Sequence, residues 1–564
     1  MKKKVLLYHI IYVAFFTVSF GQNLTLKIEG ANDVETKQID SISYFESHEN
    51  YKSLKAEIDS TFSRLVSNGF LECKINSIEK TNDSTFLSLF HLGNKYESLT
   101  LYFETEFLKK EDLLALSSKA TDSSITIPIP ATKRTLQYLN NLIAEKGYPF
   151  ASLSLNPITV DAQKNVFSSL VVKLNGGQRR IDAVVVKGYE KFPKSYIRHF
   201  LKIKKGTQFG IKDIEKKTQL LKNLRFASEI KPPEVLFKND STTLYLYIEK
   251  RKSNAFDGFL GFGTNEETNK IEFDGYLNLE LNNNLNYGES LNLYYKSDEN
   301  KQRTFNAQVT LPYLLKTPLG AEFELRIFKK DTLFTTATQI AKLFYQVNSK
   351  NRISLGIEAI QSNNLTSSSF SNAIEDYRTN LYTLEYQFRE ISETFSLFPF
   401  KSIISASAAT GQRTFGGEKE SQSKASLDAS KIFDLNTKNS LYLRLNGSGL
   451  FSDTYFENEL LRFGGINSIR GFEENSLAAT AYGLLNLEYR YSLSPSMFVH
   501  TITDFCYLEN NITEQKEKLY GFGFGFGILT QAGLFRLIYA NGKSEDQSFK
   551  LSNSKVHLSL TAFF

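Results

Sequence analysis

The sequence predicts a mixed fold, in which N-terminal α+β repeats precede an all-β, 16-stranded antiparallel transmembrane β-barrel. Before about residue 252, helix-like and strand-like runs recur at a fixed spacing. After that point, short runs that alternate between apolar and polar residues are separated by polar turns. One apolar segment lies at the N-terminus, and no later run approaches the ~18 apolar residues that a spanning helix needs.

The composition fits a β-rich exported protein. The chain has 564 residues, which is too long for one ordinary core, and it contains 46 Phe and 29 Tyr but no Trp. Its mean hydropathy of −0.29 argues against a helical membrane protein. The two cysteines, Cys73 and Cys506, lie far apart in the chain, so they indicate neither a disulfide framework nor a metal site. We expect both to be buried free thiols.

Residues 1–21 have the pattern of a signal peptide. Three lysines, Lys2 to Lys4, precede the apolar run Val5–Phe20, and small residues lie at Ser19 and Gly21. Because an exported chain without spanning helices is either soluble in the periplasm or a β-barrel, this segment narrows the fold to those two classes.

Three helical runs in the first part of the chain end at equivalent positions, 78 residues apart, at Gly69, Gly147 and Arg225. A glycine suits the left-handed residue that closes a helix, so the third copy departs from the simplest pattern. Two strand-like runs follow each helix, which predicts β-α-α-β-β units at 22–97, 98–178 and 179–252. Sheets of this kind have an exposed edge strand, which either binds an extended client by β-augmentation or serves only in a rigid spacer.

The third unit is strongly basic. Residues 173–252 contain 20 Lys and Arg against 8 Asp and Glu, a net charge of +12, while the rest of the chain carries −6. One interpretation is a solvated basic surface. The other is a module held against anionic lipid headgroups, where each basic residue near the surface contributes about 1 kcal/mol.

The predicted barrel, 253–564, contains sixteen strand-like runs, from Ser253–Thr264 to Val556–Phe564. An even number is what single-chain outer-membrane barrels have. In the last run, alternate residues ending at Phe564 form an apolar face suited to lipid. A terminal aromatic in this position resembles the C-terminal sorting signal of such barrels.

A polar interval near 455–477 contains a lone arginine, Arg470, that a simple connector would not need. We predict that this loop folds inward and places the guanidinium between two carboxylates. The candidates are Glu488 and Asp504, because the alternation in their strands points both into the lumen. The other interpretation is that both acids are solvated lumen groups. The predicted loop-anchor residues are Gly464, Gly465, Arg470, Gly471 and Phe472.

Another strand alternates glycine with phenylalanine. If Phe522, Phe524 and Phe526 contact lipid, the intervening glycines face inward and leave a groove for a closely approaching segment. The folded-in loop is the candidate occupant. The glycines of this predicted groove are Gly521, Gly523, Gly525 and Gly527.

The loop, followed by Asn486–Arg490 and Ile502–Asp504, resembles the BamA/TamA superfamily, whose bacterial surface antigen barrels follow periplasmic POTRA domains. Departures are Cys506 and Leu534, where the family often has Gly and Pro. The resemblance implies the outer membrane of a Gram-negative bacterium, with the POTRA-like units in the periplasm. It also implies a protein insertion factor that captures clients at the POTRA-like units and inserts them at the seam between first and last strands.

The alternative is a two-partner-type secretion pore that translocates one exported protein, although that class typically has two POTRA units and an N-terminal plug helix. A passive porin would not need the first 250 residues. We expect no enzyme activity, no cofactor and no metal, because no catalytic or phosphate-binding motif occurs. Expected partners are unfolded outer-membrane or secreted clients, outer-membrane lipid, and periplasmic or lipoprotein helpers, but not nucleic acid.

Overall fold

A computed structural model describes residues 23–117, 120–264, 271–297, 302–366, 373–392, 397–398, 400–530, 533–545 and 554–563. The predicted signal peptide, 1–21, and the predicted sorting signal, Phe564, lie outside these residues. The chain forms two compact bodies, one containing residues up to 180 with 208–212, the other containing 181–207 and the residues from 213 onward. None of the described helices is both long enough and apolar enough to cross a bilayer.

The first body contains two α/β units, and the first of these has the sheet order β2-β1-β4-β3. Its long helix is capped by Asn50, and its buried face carries Leu54, Ile58 and Leu65 at helical spacing. The helix closes at Gly69, whose φ is +108°. The elements are β1 (Leu24–Gly30), α1 (Asp33–Asp40), β2 (Ser47–His48), α2 (Tyr51–Ser67), β3 (Lys74–Lys80) and β4 (Thr85–His91).

The second unit repeats this plan with the sheet order β6-β5-β8-β7. In both units an additional strand, β2 or β6, lies between the two helices, so the predicted β-α-α-β-β order was wrong for these two units. Leu139 and Ile143 form the buried face of its long helix, which closes at Gly147 with a φ of +92°. The elements are β5 (Ser98–Tyr102), α3 (Lys110–Leu113), β6 (Ser124–Pro128), α4 (Thr132–Glu145), β7 (Ser152–Val160) and β8 (Val166–Lys173).

The third unit has a three-stranded sheet of order β10-β11-β9. Its first helix is one π-helical turn, Tyr196–Phe200, and its second runs into a 3-10 turn, Gln219–Asn223. The third unit has Arg225 at the position where the other two units have a glycine that closes the helix. Here the chain leaves the turn in an extended conformation at Leu224. The remaining elements are β9 (Ala183–Gly188), α5 (Ile211–Thr218), β10 (Ala227–Phe237) and β11 (Thr242–Lys250).

The remainder is a closed barrel of sixteen antiparallel strands, as the sequence predicted. Between its eleventh and twelfth strands lies a long loop with the short hairpin β23 (Leu461–Phe463) and β24 (Leu477–Ala479). The barrel strands are β12 (Ala255–Thr264), β13 (Ile271–Asn282), β14 (Ser290–Ser297), β15 (Gln302–Leu311), β16 (Leu319–Lys330), β17 (Phe334–Gln346), β18 (Asn351–Asn364), β19 (Tyr377–Ile391), β20 (Phe400–Phe415), β21 (Glu418–Asp434), β22 (Asn439–Phe451), β25 (Ala481–Ser494), β26 (Met497–Asn510), β27 (Gln515–Thr530), β28 (Gly533–Ser544) and β29 (Ser554–Phe563).

Along the strands of the barrel, apolar side chains on the outer face alternate with polar side chains on the inner face, as a barrel in a membrane requires. Leu343, Leu355 and Ile357 are exposed on the outer face, whereas Glu322 and Ser354 are buried on the inner face. Several strands extend further than the apolar alternation indicated. Strands β20 and β21, for example, continue as a polar ladder to their turn at Gly416, where both faces are polar. Apolar periodicity marks only the part of a strand that crosses lipid.

The third unit contacts the rim of the barrel at which β12 begins, here called the N-terminal rim. The Tyr189 hydroxyl donates to Asn286 Oδ1 at 2.5 Å and accepts from Asn283 Nδ2 at 2.8 Å. The Tyr196 ring packs edge-on against Tyr313, with 4.8 Å between ring centroids. Burial raises the pKa of the Tyr196 hydroxyl, which therefore stays neutral. These contacts fix the third unit on the turns of this rim.

Candidate functional site

The long loop between β22 and β25 leaves the barrel at the rim opposite to the third unit and folds back into the lumen. Two parts of it are distinguished below: the loop stem, 452–460, and the loop tip, 464–474. The β23–β24 hairpin, with Leu461 opposite Ala479 and Phe463 opposite Leu477, joins them. The predicted anchor residues lie in the tip.

Arg470 is the centre of the tip, and only 5% of its surface is exposed. Its Nε donates to Asp504 Oδ2 at 2.8 Å and its Nη2 to Asp504 Oδ1 at 2.5 Å, a bidentate pair. Its backbone N–H donates to the same Oδ2 at 2.9 Å, and its Nη1 donates to Glu488 Oε1. The structure thus brings Arg470, Glu488 and Asp504 together in one buried cluster.

A second arginine, which was not among the predicted anchor residues, completes this cluster. Arg490 pairs with Glu488 Oε2 at 2.7 Å and stacks over the Tyr442 ring, with 4.0 Å from Cζ to the centroid. Two guanidinium groups therefore balance two carboxylates. The signal in the sequence was its position two residues after Glu488, on the same face of β25.

The tip backbone lies directly against the barrel wall at Gly471. This residue has a φ of +92°, and a Cβ at this position would collide with the backbone of Asn541 and Gly542 on β28. Gly464 and Gly465 also have positive φ, at +116° and +89°. Gly542 was missed because Asn541-Gly542 has the sequence of a turn, although here it lies inside a strand.

The predicted glycine groove is divided between two occupants. A Cβ on Gly521 would meet the carbonyl oxygen of Arg470, so this glycine lies against the tip. The space at Gly525 and Gly527 is filled instead by the rings of His500 and Phe498 from the neighbouring strand. Gly523 is paired in the ladder with Ile502 and Ala540. Those two residues pack with Ile538 against Ile466 of the tip.

Apolar packing and further polar contacts hold the rest of the tip. Phe472 packs against a buried cluster that includes Ile469 and Cys506, so Cys506 fits beside the loop. Arg444 Nη1 donates to the Asn467 carbonyl at 2.7 Å. Further contacts are Asn486 Nδ2 to the Ser468 carbonyl at 3.0 Å, Lys555 Nζ to Glu473 Oε1 at 2.8 Å, and Lys296 Nζ to Glu474 Oε2 at 3.4 Å.

The seam between the first and last strands is short. Among the residues that the structure describes, strands β12 and β29 pair at two positions, Ala255 with Phe563 and Phe256 with Ala562. In the described residues, ten pairs join β12 to β13 and eight join β28 to β29. A cavity of about 560 Å³ borders this seam. Its lining includes Asp257, Tyr276, Ile466, Arg536, Val556 and Leu558.

The arrangement of the site is suited to positioning the loop. Every carboxylate oxygen of Glu488 and Asp504 accepts a hydrogen bond from Arg470 or Arg490, so the cluster fixes the tip on β25 and β26. Within the described parts of the chain, no three His, Cys, Asp or Glu side chains converge in a way that could hold a metal ion. Fold and site together define a membrane β-barrel that is preceded by α+β units and contains an arginine-anchored loop in its lumen.

Comparison with known proteins gives the family. Residues 278–559 match the Omp85 superfamily domain, and residues 179–251 match the POTRA domain, described as a surface antigen variable number repeat. The chain belongs to the Omp85 superfamily. It is therefore an outer-membrane protein of a Gram-negative bacterium with its POTRA units in the periplasm, as predicted. The N-terminal rim faces the periplasm, and the opposite rim faces the cell exterior.

Solved structures share the fold at low sequence identity. BamA from Haemophilus ducreyi lacking POTRA domains 1–3 is 13% identical, with a TM-score of 0.50, over 82% of this chain and 99% of that one. CdiB from Escherichia coli is 13% identical, with a TM-score of 0.52, over 90% and 98%. CdiB from Acinetobacter baumannii is 16% identical, with a TM-score of 0.50, over 84% and 91%. None of the curated proteins compared matches the chain significantly.

Proposed function

We propose that this protein inserts other β-barrel proteins into the outer membrane, and that clients enter at its seam. The observation that carries the proposal is the seam itself, at which two pairs of described residues join the first and last strands. Each ladder pair that separates exposes main-chain donors and acceptors, which a client strand would satisfy. Opening at this position therefore disrupts less pairing than opening between other neighbouring strands. The process needs neither nucleotide nor redox chemistry.

The POTRA units would supply the first contact with a client. In the second unit, β7 is an edge strand, and its Ile158 and Val160 side chains are exposed. In the third unit, β10 is an edge strand with Ile230 exposed. An open edge with exposed apolar side chains binds extended segments through main-chain hydrogen bonds that tolerate many sequences. Unfolded barrel proteins are clients of that description.

The second candidate function is a two-partner-type secretion pore. The polar lumen supports it, because a cavity of about 190 Å³ lies beside the tip, with Arg470, Arg490 and Arg536 in its lining. The three sheets that precede the barrel argue against it, since that class typically has two such units. An extended client in the lumen would have to displace the tip and its buried ion pairs.

Depletion of the protein distinguishes the two functions. An insertion factor should lower the amounts of many barrel proteins in the outer-membrane proteome, with their precursors accumulating in the periplasm. A secretion pore should lower one secreted protein and leave the barrels unchanged. An unchanged outer membrane and secretome after depletion would contradict both.

The third POTRA unit is expected to bind anionic lipid. Its exposed Lys191, Lys194 and Arg198 belong to the segment that contacts the periplasmic turns of the barrel, close to the inner leaflet. A 179–252 fragment, checked for folding by circular dichroism, should bind vesicles with anionic lipid and detach as salt is raised. Gln substitutions at these three positions should weaken binding more than substitutions at Lys212 and Lys216. Equal binding to neutral vesicles at high salt would refute the prediction.

Removal of Phe564 is expected to prevent insertion of the protein itself. The prediction comes from the alternation of the last run, whose apolar face ends at this residue. The shortened precursor should stay in the periplasm while its synthesis continues, which fractionation and immunoblotting would measure. Phe564→Tyr, which keeps the aromatic ring, is the control and should insert. Normal outer-membrane levels of the deletion variant would place the signal elsewhere.

A further inference from the structure

A second buried arginine lies near the extracellular rim, away from Arg470. Arg413 is on β20, and its side chain is 0% exposed. Its Nη1 donates to Glu459 Oε1 of the loop stem at 2.5 Å, and its Nη2 donates to Glu420 Oε2 of β21 at 2.5 Å. Nη2 also donates to Thr454 of the stem, at 2.5 Å to Oγ1 and 3.2 Å to the carbonyl. One guanidinium therefore ties together two barrel strands and the stem.

The carboxylates around Arg413 accept further hydrogen bonds, which fix their positions. Glu420 Oε1 accepts from the Thr454 backbone N–H at 2.7 Å, and Glu459 Oε2 accepts from Gln422 Nε2 at 3.0 Å. The guanidinium lies over the Phe456 ring of the stem, with 4.4 Å from Cζ to the centroid. A charge removed from water in this way requires such partners, so the cluster is a built site rather than a chance surface pair.

Other residues of the stem also bond to the barrel wall. Asn458 Nδ2 donates to Ser362 Oγ at 2.8 Å and to the Glu375 carbonyl at 2.7 Å. Glu457 pairs with Lys330 of β16 at 3.0 Å. The Tyr377 hydroxyl donates to the Asn458 carbonyl at 3.3 Å. The stem is thus bonded to the barrel wall along most of its length.

The stem and the tip are bonded to different parts of the wall. Among the described residues, the barrel side chains that hydrogen-bond to the stem belong to β16–β21. Those that bond or pair with the tip belong to β14, β22, β25, β26 and β29. Between the two parts lies the β23–β24 hairpin, which has three residue pairs. The two sets of barrel side chains share no strand.

We infer that Arg413 is a second positioning residue, which holds the stem at the extracellular mouth independently of Arg470. Release of the tip then leaves the stem in place near the extracellular rim, because the stem keeps its own ion pairs. The tip can therefore move during client handling without moving the stem. An arginine suits this position because its planar fork reaches both carboxylates and Thr454 at once, which an ammonium group cannot do. The inference does not depend on whether clients are inserted or secreted.

The test uses two introduced cysteine reporters, one at a time, in the full-length protein, purified and folded in detergent. Leu460→Cys reports on the stem and Ile469→Cys on the tip, and both positions are buried. The native Cys73 and Cys506 are buried too, and Cys506 packs beside the tip, so the parent protein and each arginine variant without a reporter supply the background rates of maleimide labelling. Each reporter is combined with Arg413→Ala or Arg470→Ala. Heat-modifiable mobility on gels verifies that each barrel is folded.

Arg413→Ala should raise the labelling rate at position 460 by at least about tenfold, because local opening controls access, and leave position 469 nearly unchanged. Arg470→Ala should do the reverse. Arg413→Lys should give an intermediate rate at position 460. Glu459→Gln, which changes the stem and leaves the barrel strands intact, should act like Arg413→Ala and replaces it if that variant fails to fold.

Two results would overturn the inference. One is a folded Arg413→Ala or Glu459→Gln barrel in which position 460 stays protected. The other is equal exposure of both reporters by either arginine substitution, which would show that stem and tip move as one. Failure of both Arg413→Ala and Glu459→Gln to fold would also overturn it, since the cluster would then be a requirement of the barrel.

Discussion

A disulfide across the seam is expected to stop client insertion while leaving the barrel folded. Ala255 and Phe563 lie directly opposite each other on β12 and β29. Opposed residues of antiparallel strands have the Cα separation that a disulfide needs. An Ala255→Cys, Phe563→Cys variant should therefore cross-link under oxidising conditions, and the bond would hold the ladder pairs that a client strand must replace.

The measurement is complementation of a depleted strain, with the cross-linked fraction and the amount of barrel followed in parallel. The oxidised double variant should fail to support growth, and a reductant should restore it. Each single cysteine variant should behave like the parent. A matched cross-link between Leu343 and Leu355, opposed residues on β17 and β18, should form without loss of function. Full growth with a completely cross-linked seam would rule out insertion at this position.

The same variant separates the two candidate functions. A client that passes through the lumen does not use the seam, so a secretion pore should continue to export its substrate when the seam is locked. An insertion factor should lose its activity and accumulate barrel precursors in the periplasm. Continued secretion of one protein with a locked seam would favour the two-partner-type pore.

Arg470→Ala is expected to reduce function more than it reduces the amount of barrel. The substitution leaves Asp504, which is 1% exposed, without the guanidinium that now meets both its oxygens. Removing one partner of a buried ion pair costs on the order of 3–5 kcal/mol, and the polar lumen should lower this figure. The ladder of sixteen strands remains, so the barrel should still form, with lower resistance to heat.

Arg470→Lys should restore function only in part, because an ammonium group cannot bridge two carboxylates with a planar fork. The matched control is Arg462→Ala, in the same loop, where the distance to Glu457 is 3.8 Å and no bidentate pair is made. Complementation and barrel abundance are measured for all three variants. Full growth of Arg470→Ala at normal abundance would show that the loop is only a connector.

The sequence predicted the fold class well because the relevant signals are local. The period of 78 residues and the strand alternation are properties of neighbouring residues, and both are found in the structure. Parity alone placed Glu488 and Asp504 on the inner face, and the structure brings both to Arg470. Beyond the apolar belt, both faces of β20 and β21 are polar, so the sequence shows no alternation of apolar and polar residues there. The ends of these two strands were therefore not predicted.

The amino-acid sequence by itself determined the repeats, the barrel, the inward faces of its strands and the loop that enters it. Tertiary structure decided which residues meet across the lumen, since contacts between distant strands depend on closure and register, which no local pattern encodes. Three contacts depend on closure and register in this way: Gly542 against Gly471, Arg490 with Glu488, and Arg413 with the loop stem. The seam is also of this kind, because its pairs join strands about 300 residues apart in the chain.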